Sequence, residues 1–270
     1  MQVIYEDNHI IIVSKEAGEI VQGDKTGDTP LSETVKQYIK EAYAKPGDVF
    51  LGVVHRLDRP VGGIVVFART SKALTRLNDM FRKGEVHKKY WAVVENGGMK
   101  NEECRMKNEK MKNEEPLARR SQLRMKNADY LSPLETNQHS SFFTLHSSFT
   151  LVHWLVRNEQ QNKSYAYDRE RPNAKRAELD YRLLAHGDRY DLLEVNLKTG
   201  RHHQIRCQLA HVGMPIKGDL KYGARRSNPD GSISLLARSI DFIHPVSKKH
   251  IYVEAPIPDD ALWQTLAQGV

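Results

Sequence analysis

Val53-Val54-His55-Arg56-Leu57-Asp58-Arg59-Pro60-Val61-Gly62-Gly63-Ile64-Val65-Val66-Phe67-Ala68 places a polar knot, His-Arg-Leu-Asp-Arg, between two apolar runs. The apolar runs read as buried strands, and Pro60 and Gly62-Gly63 break the chain directly after the knot, so one carboxylate, Asp58, is expected on a tight loop. Strands that hold a charged loop present a reactive group at fixed geometry. The competing reading is a surface loop whose Asp58 pairs with its neighbours Arg56 or Arg59. The rest of the chain decides between the two.

Upstream, residues 3–5 and 9–13 are short apolar runs around Glu6-Asp7-Asn8, the pattern of a hairpin. Thr29-Pro30 opens a helix with Leu31, Val35, Tyr38, Ile39 and Ala42 at helical spacing, closing before Pro46-Gly47. Downstream, a second amphipathic helix runs from Ser71, with Ala73, Leu74, Leu77 and Phe81 apolar, to Gly84, where a left-handed cap is easy. Residues 87–94 read as a strand entered through basic residues. After Gly97-Gly98, Met-Lys-Asn recurs at 99, 106, 111 and 125 and Ser-Ser-Phe at 140 and 147, which marks residues 99–150 as a low-complexity insertion. Order resumes at Leu151, and residues 177–184 and 190–197 alternate like an antiparallel pair around His186-Gly187-Asp188. Thr199-Gly200 leads into a helix over 202–212, followed by strand-like runs at 234–243 and 250–255. Strands and helices without regular β-α-β alternation predict an α+β fold with a largely antiparallel sheet, a single domain over 1–270 interrupted at about 99–150.

With 270 residues, 39% hydrophobic and 28% charged, the chain can bury a core without staples. Two cysteines, Cys104 and Cys207, in unlike contexts give no disulfide framework and suggest a reducing compartment. No secretory leader or bilayer-length apolar run is read, so the expected location is the cytoplasm. Net charge is +7. Residues 55–90 and 201–250 each hold nine Lys and Arg against three Asp and Glu, so the excess is focused on two segments rather than spread as a solubilising coat. If both share one face, that face suits a polyanion, of which a phosphate backbone is the commonest.

Four motifs in order, His55-Arg56-Leu57-Asp58 with Gly63, Lys89-Tyr90-x-Ala92, Thr199-Gly200-Arg201-His202-His203-Gln204-Ile205-Arg206, and Leu235-x-Ala237 with Phe242-x-His244-Pro245, resemble the RluA family of RNA pseudouridine synthases. The resemblance covers 1–98 and 151–270. It implies a sheet-centred catalytic domain with flanking helices, RNA bound across a basic cleft, and no metal or organic cofactor. The implied substrate is a uridine in ribosomal or transfer RNA, isomerised to pseudouridine by a monomer without membrane attachment.

By the same resemblance Asp58 is the nucleophile, adding either to the ribose at C1′ or to the uracil ring. A nucleophilic carboxylate must stay ionised while partly desolvated, which needs a nearby cation. Arg206 matches the family position for that ion pair, and its planar fork can take a carboxylate bidentately. Tyr90 matches the active-site tyrosine, its ring against the base and its hydroxyl a candidate for assisting proton removal at C5. Arg56 matches the residue that fills the space of the extruded base. His55, Arg201 and Gln204 are expected to contact substrate, and Leu235 or Leu236 to wall the pocket.

Val61-Gly62-Gly63 stands where many relatives have Thr-Ser-Gly, which keeps the glycine of the turn, and His202 and Leu236 sit where other side chains are frequent. The catalytic-domain strands begin at residue 3, leaving no S4-type module, so target choice is expected to rest on the catalytic domain. A rival zinc set, His203, Cys207 and His211, is spread over about 12 Å of helix, too far for one ion. A hydrolase reading lacks a second carboxylate at a suggestive spacing. The alternative from another class is a non-catalytic RNA-binding protein that keeps the fold.

Overall fold

A computed structural model describes residues 1–24, 26–96 and 148–270. The insertion expected at about 99–150 lies outside the described residues except for its last three, which already begin a strand.

Among the described residues the alternating apolar positions form eleven strands in one sheet. They are β1 (Gln2–Glu6), β2 (Ile10–Lys15), β3 (Gly52–Val53), β4 (Gly62–Ala68), β5 (His87–Glu95), β6 (Ser148–Asn158), β7 (Lys163–Tyr167), β8 (Lys175–His186), β9 (Tyr190–Leu197), β10 (Leu235–Ile243) and β11 (His250–Glu254). The order across the sheet is β1-β2-β4-β10-β5-β9-β8-β6-β7, with β11 beside β10 and β3 beside β4. All pairings are antiparallel except a short parallel contact of β10 with β4, Leu236 with Gly62 and Ala237 with Gly63. The fold is thus α+β with a largely antiparallel mixed sheet.

Helices cover both faces. Alternate strand residues Ile11, Val13, Val65, Phe67, Tyr90, Ala92, Val195 and Leu235 pack with Leu31, Val35 and Ile39 of α1 (Leu31–Ala42) and Ile205 and Leu209 of α3 (Gln204–His211). Their neighbours Ile10, Ile12, Ile64, Val66, Trp91, Val93 and Leu236 point the other way, onto Ala73 and Leu77 of α2 (Ser71–Lys83) and Trp263 and Leu266 of α4 (Ala261–Ala267). Pro30 stands at the start of α1, Thr70 caps α2 by accepting from the Ala73 amide, and Gly84 ends α2 at φ 75°. No helix among the described residues is long and apolar enough to cross a membrane.

This layering corrects one expectation about charge. Helix α2, with Lys72, Arg76, Arg82 and Lys83, lies across the sheet from α3, so the two basic segments share a face only in part.

Candidate active site

The loop between β3 and β4 is fixed through its own carbonyls. Asp58 O accepts from the Val61 amide (3.0 Å), Pro60 O from the Ile233 amide (3.0 Å) and Arg59 O from the Gly18 amide (2.8 Å). Lys15, 2% exposed at the end of β2, donates from Nζ to Val61 O (2.7 Å), Arg59 O (3.1 Å) and Glu16 O (2.8 Å). Burial pulls its pKa down to about 8, against the pull of Glu19 and Asp58. A buried lysine that spends its three donors on backbone oxygens holds the loop rigid. Gly63 contributes differently. At φ 113° it is in a region that only glycine adopts freely, and a Cβ there would sit 2.3 Å from Ala237 O. Its bareness lets β10 lie against β4 directly beside the loop.

Asp58 does not pair with its neighbours. Arg59 turns away to Asp28 (2.6 Å), Thr26 (2.8 Å) and Asp24 (3.6 Å), and Arg56 is exposed without an ion pair among the described residues. The surface-loop reading is therefore excluded. Asp58, its side chain 31% exposed, instead accepts at Oδ2 from Arg206 Nη1 of α3 (3.0 Å), with His203 Nε2 at 3.5 Å from the same oxygen. Oδ1 accepts from none of the described residues.

The bidentate fork expected on Asp58 goes elsewhere. Arg206 Nε and Nη2 grip Asp219 (2.7 and 2.9 Å), which is 1% exposed, and only Nη1 reaches Asp58. Asp219 opens the 3-10 turn Leu220–Tyr222 and donates its amide to Ile216 O. The segment before it is tied to the end of β5 by Lys217 N to Val93 O and Glu95 N to Pro215 O, 2.9 Å each. Burial alone would lower the Arg206 pKa, but the hydrogen bonds and charge of Asp219, then of Asp58, raise it overall. A second carboxylate thus does stand near Asp58, at a spacing that gave no signal, and both its oxygens are occupied.

Tyr90 of β5 lies opposite Ala237 and Val195 and packs in one cluster with Leu57, Val61, Ile205 and Leu235. Burial first, then the Asp58 charge, push its hydroxyl above the ordinary phenol range. What it brings to this cluster is a ring face and a phenolic hydroxyl.

The expected substrate contacts divide. Arg56 and Arg201 are exposed, Arg201 Nε donating to Arg176 O (3.2 Å). Gln204, 3% exposed, has its carboxamide committed to Thr199, the Arg201 amide and Glu178 O, so it braces the loop. His55 accepts from the Val66 amide at Nε2 (3.1 Å) and stacks on Phe81 of α2 (5.0 Å), which places its ring on the far face of the sheet. Of the two leucines only Leu235 shares the Tyr90 cluster; Leu236 points to the opposite face.

The rival zinc trio is dispersed. His203 faces Tyr222 and Asp58, the Cys207 thiol lies 3.2 Å from Ser164 O, and His211 contacts Asp168 at 2.8 Å. Another trio, His153, Asp168 and His211, brings ligating atoms within 4.8 Å. There Gln208 Nε2 donates to His153 Nδ1 (3.0 Å), which leaves the proton on the Nε2 that an ion would need bare.

Sequence reasoning missed Lys15, Asp219, Tyr222 and the inward role of His203. The family described as RNA pseudouridylate synthase matches residues 9–211. The chain is 28% identical to a ribosomal large subunit pseudouridine synthase D of Xanthomonas campestris over 96% of this chain and 67% of that one. It is 28% identical to a ribosomal large subunit pseudouridine synthase C of Vibrio cholerae over 94% and 65%, so it spans about two thirds of these two relatives. A tRNA pseudouridine synthase C of Vibrio vulnificus matches at 27%, covering 98% of this chain and 94% of that one. Among solved structures, human RNA Pseudouridylate Synthase Domain Containing 4 shares the fold, with a TM-score of 0.65 at 18% identity over 96% of this chain and 89% of that one.

Proposed function

The chain belongs to the RNA pseudouridylate synthases, isomerases of the RluA type, and we propose that it converts particular uridines of ribosomal or transfer RNA to pseudouridine with Asp58 as nucleophile. The observation that carries this reading is a carboxylate on a fully pinned loop, charge-compensated at Oδ2 by Arg206 and open at Oδ1.

The chemistry asks little more. A flipped-out uridine places its nucleotide over Tyr90 and Leu235, with exposed Arg56 beside the space it leaves. In the ribose route Asp58 Oδ1 donates an electron pair to C1′ while the C1′–N1 bond breaks, its pair going to the uracil ring. The ring turns, C5 bonds to C1′, and the C1′–O bond returns its pair to Asp58. C5 loses a proton and N1 gains one, so nothing is consumed. In the ring route the same oxygen adds to C6, pushing the C5=C6 pair onto the C4 carbonyl. C1′–N1 breaks with its pair going to the ring, and C5 bonds to C1′. Loss of the C5 proton and of the C6–O bond restores the ring and Asp58 while N1 gains a proton. Either route needs Asp58 ionised and aimed, which the rigid loop and Arg206 supply. Family membership, two basic segments and a buried free thiol at Cys207 support a cytoplasmic RNA enzyme. Nothing in the geometry favours the non-catalytic alternative, since binding alone gains nothing from a carboxylate beside phosphates.

The test is pseudouridine formation by purified protein on ribosomal and transfer RNA, read by chemical mapping. Asp58→Asn keeps the shape and removes the nucleophile, so product should vanish while RNA affinity stays within about three-fold. Product formed at the wild-type rate would remove Asp58 from the role.

A further inference from the structure

Asp58 is held by more than its arginine. The Ser164 amide donates to Tyr222 Oη (2.8 Å), and Tyr222 Oη lies 3.0 Å from His203 Nδ1. With the hydroxyl oxygen accepting from Ser164, its one proton is available to Nδ1, and in that arrangement the imidazole carries its own proton on Nε2. That Nε2 is the atom 3.5 Å from Asp58 Oδ2. The ring is further fixed by stacking on His202 at 3.8 Å and by the edge-on ring of Tyr222 at 5.7 Å. Its backbone adopts φ 51°, the left-handed region, at the N-terminal cap of α3, although its side chain caps nothing. Few non-glycine residues adopt that region; histidine is among those that do, and asparagine adopts it readily.

We propose that His203 is a positioning residue for the isomerisation: Tyr222 locks it in the Nε2–H tautomer, and it joins Arg206 in holding Asp58 Oδ2 so that Oδ1 alone supplies the electron pair to the nucleotide and takes it back. This rests on the pseudouridine synthase reading and adds which oxygen reacts and what selects it. His203 keeps its proton throughout; burial, then the Arg206 charge, lower its pKa to about 2, so it is a neutral donor and not an acid in the reaction. Arg206 Nη1 at 3.0 Å and His203 Nε2 at 3.5 Å both face Oδ2 and neither faces Oδ1, an arrangement that orients the carboxylate about its own axis where a single Arg206 contact would leave it free to turn.

The tautomer is read first, in the wild-type protein, by nitrogen chemical shifts of labelled histidine, with the His203 signal identified by its loss in His203→Asn. A protonated Nε2 is expected; a protonated Nδ1 overturns the proposal whether or not any RNA substrate is known, so its failure is separable from failure of the functional reading. Three variants follow, each measured for single-turnover rate at saturating enzyme, RNA affinity and unfolding midpoint. Tyr222→Phe should mix the tautomers and slow the chemical step about ten-fold with affinity within about three-fold. His203→Gln retains an N–H that can reach Asp58, whereas His203→Asn fits the backbone better but is too short. Positioning therefore predicts Gln faster than Asn in rate while Asn is at least as stable. A purely structural role predicts that rate follows stability, with Asn the better variant, and that result would overturn the proposal.

Discussion

Replacing Arg206 by lysine keeps the charge and removes the geometry. The guanidinium makes three short contacts to two carboxylates, 2.7 and 2.9 Å to Asp219 and 3.0 Å to Asp58. A lysine ammonium is a point charge that can sit against one carboxylate at the end of a flexible stem but cannot bridge both as a planar fork. Losing two charge-assisted hydrogen bonds, each about 1.5–3 kcal/mol, with partial recovery through the retained charge, leaves a destabilisation of about 2–4 kcal/mol. At roughly 2–4 °C per kcal/mol that is a fall of about 10 °C in unfolding midpoint. Catalysis should suffer separately: a lysine drawn to buried Asp219 leaves Asp58 misaimed, and a ten-fold or greater loss corresponds to about 1.4 kcal/mol or more of barrier. Thermal unfolding reads the first effect and single-turnover rates at saturating enzyme read the second, free of any binding defect. An unchanged midpoint together with an unchanged chemical rate, and only weaker RNA binding, would refute the bridge and make Arg206 a phosphate contact.

Gly63→Ala should separate β10 from β4, because its Cβ would fall 2.3 Å from Ala237 O at a φ of 113°; a cost of about 3 kcal/mol or more is expected, and an unaltered unfolding midpoint would contradict the close approach. Lys15 has a pKa of about 8 in the fold against an ordinary 10.5, so between those values the unfolded chain binds more protons and the contribution of this residue to stability rises with pH. Lys15→Met should flatten the stability curve between about pH 8 and 10.5, and a curve of unchanged shape would count against the burial. RNA affinity should fall steeply with salt, and Arg56→Ala should reduce the slope by about one counterion; an unchanged slope would place Arg56 off the phosphate path.

The elements with strong periodicity were legible: the opening hairpin, both amphipathic helices with their ends at Pro30 and Gly84, and the strands around His186-Gly187-Asp188. Strand β7 and helix α4 were not read, the first because Lys-Ser-Tyr-Ala-Tyr is short and only half apolar, the second because seven residues give two turns at most. The loop of Asp58 and its partner Arg206 were legible from motif order, but the sharing of Arg206 was not, since Asp219 arrives on a 3-10 turn with no spacing that announces it. Leu235 and Leu236 were indistinguishable because adjacent strand residues face opposite ways, and only the register of β10 with β5 fixes the phase. Gln204 misled for a different reason: a polar residue in a motif reads as a ligand contact, yet its amide had turns of its own backbone to satisfy.

The place of β10 in the sheet also sets an order of events during folding. It is the strand between β4, which carries the Asp58 loop, and β5, which carries Tyr90, yet it begins 140 residues after the end of β5 and further still after β4. Until residues 235–243 are available, the inner edge of β4 has only the two-residue β3 beside it, and β5 through β9 form a separate ribbon. Contacts of such long sequence separation carry a large loop-closure cost and form slowly. The Asp58 loop and Tyr90 are therefore joined through a strand that the chain supplies late, and a chain truncated before residue 235 is expected to hold two half-sheets with no strand between them.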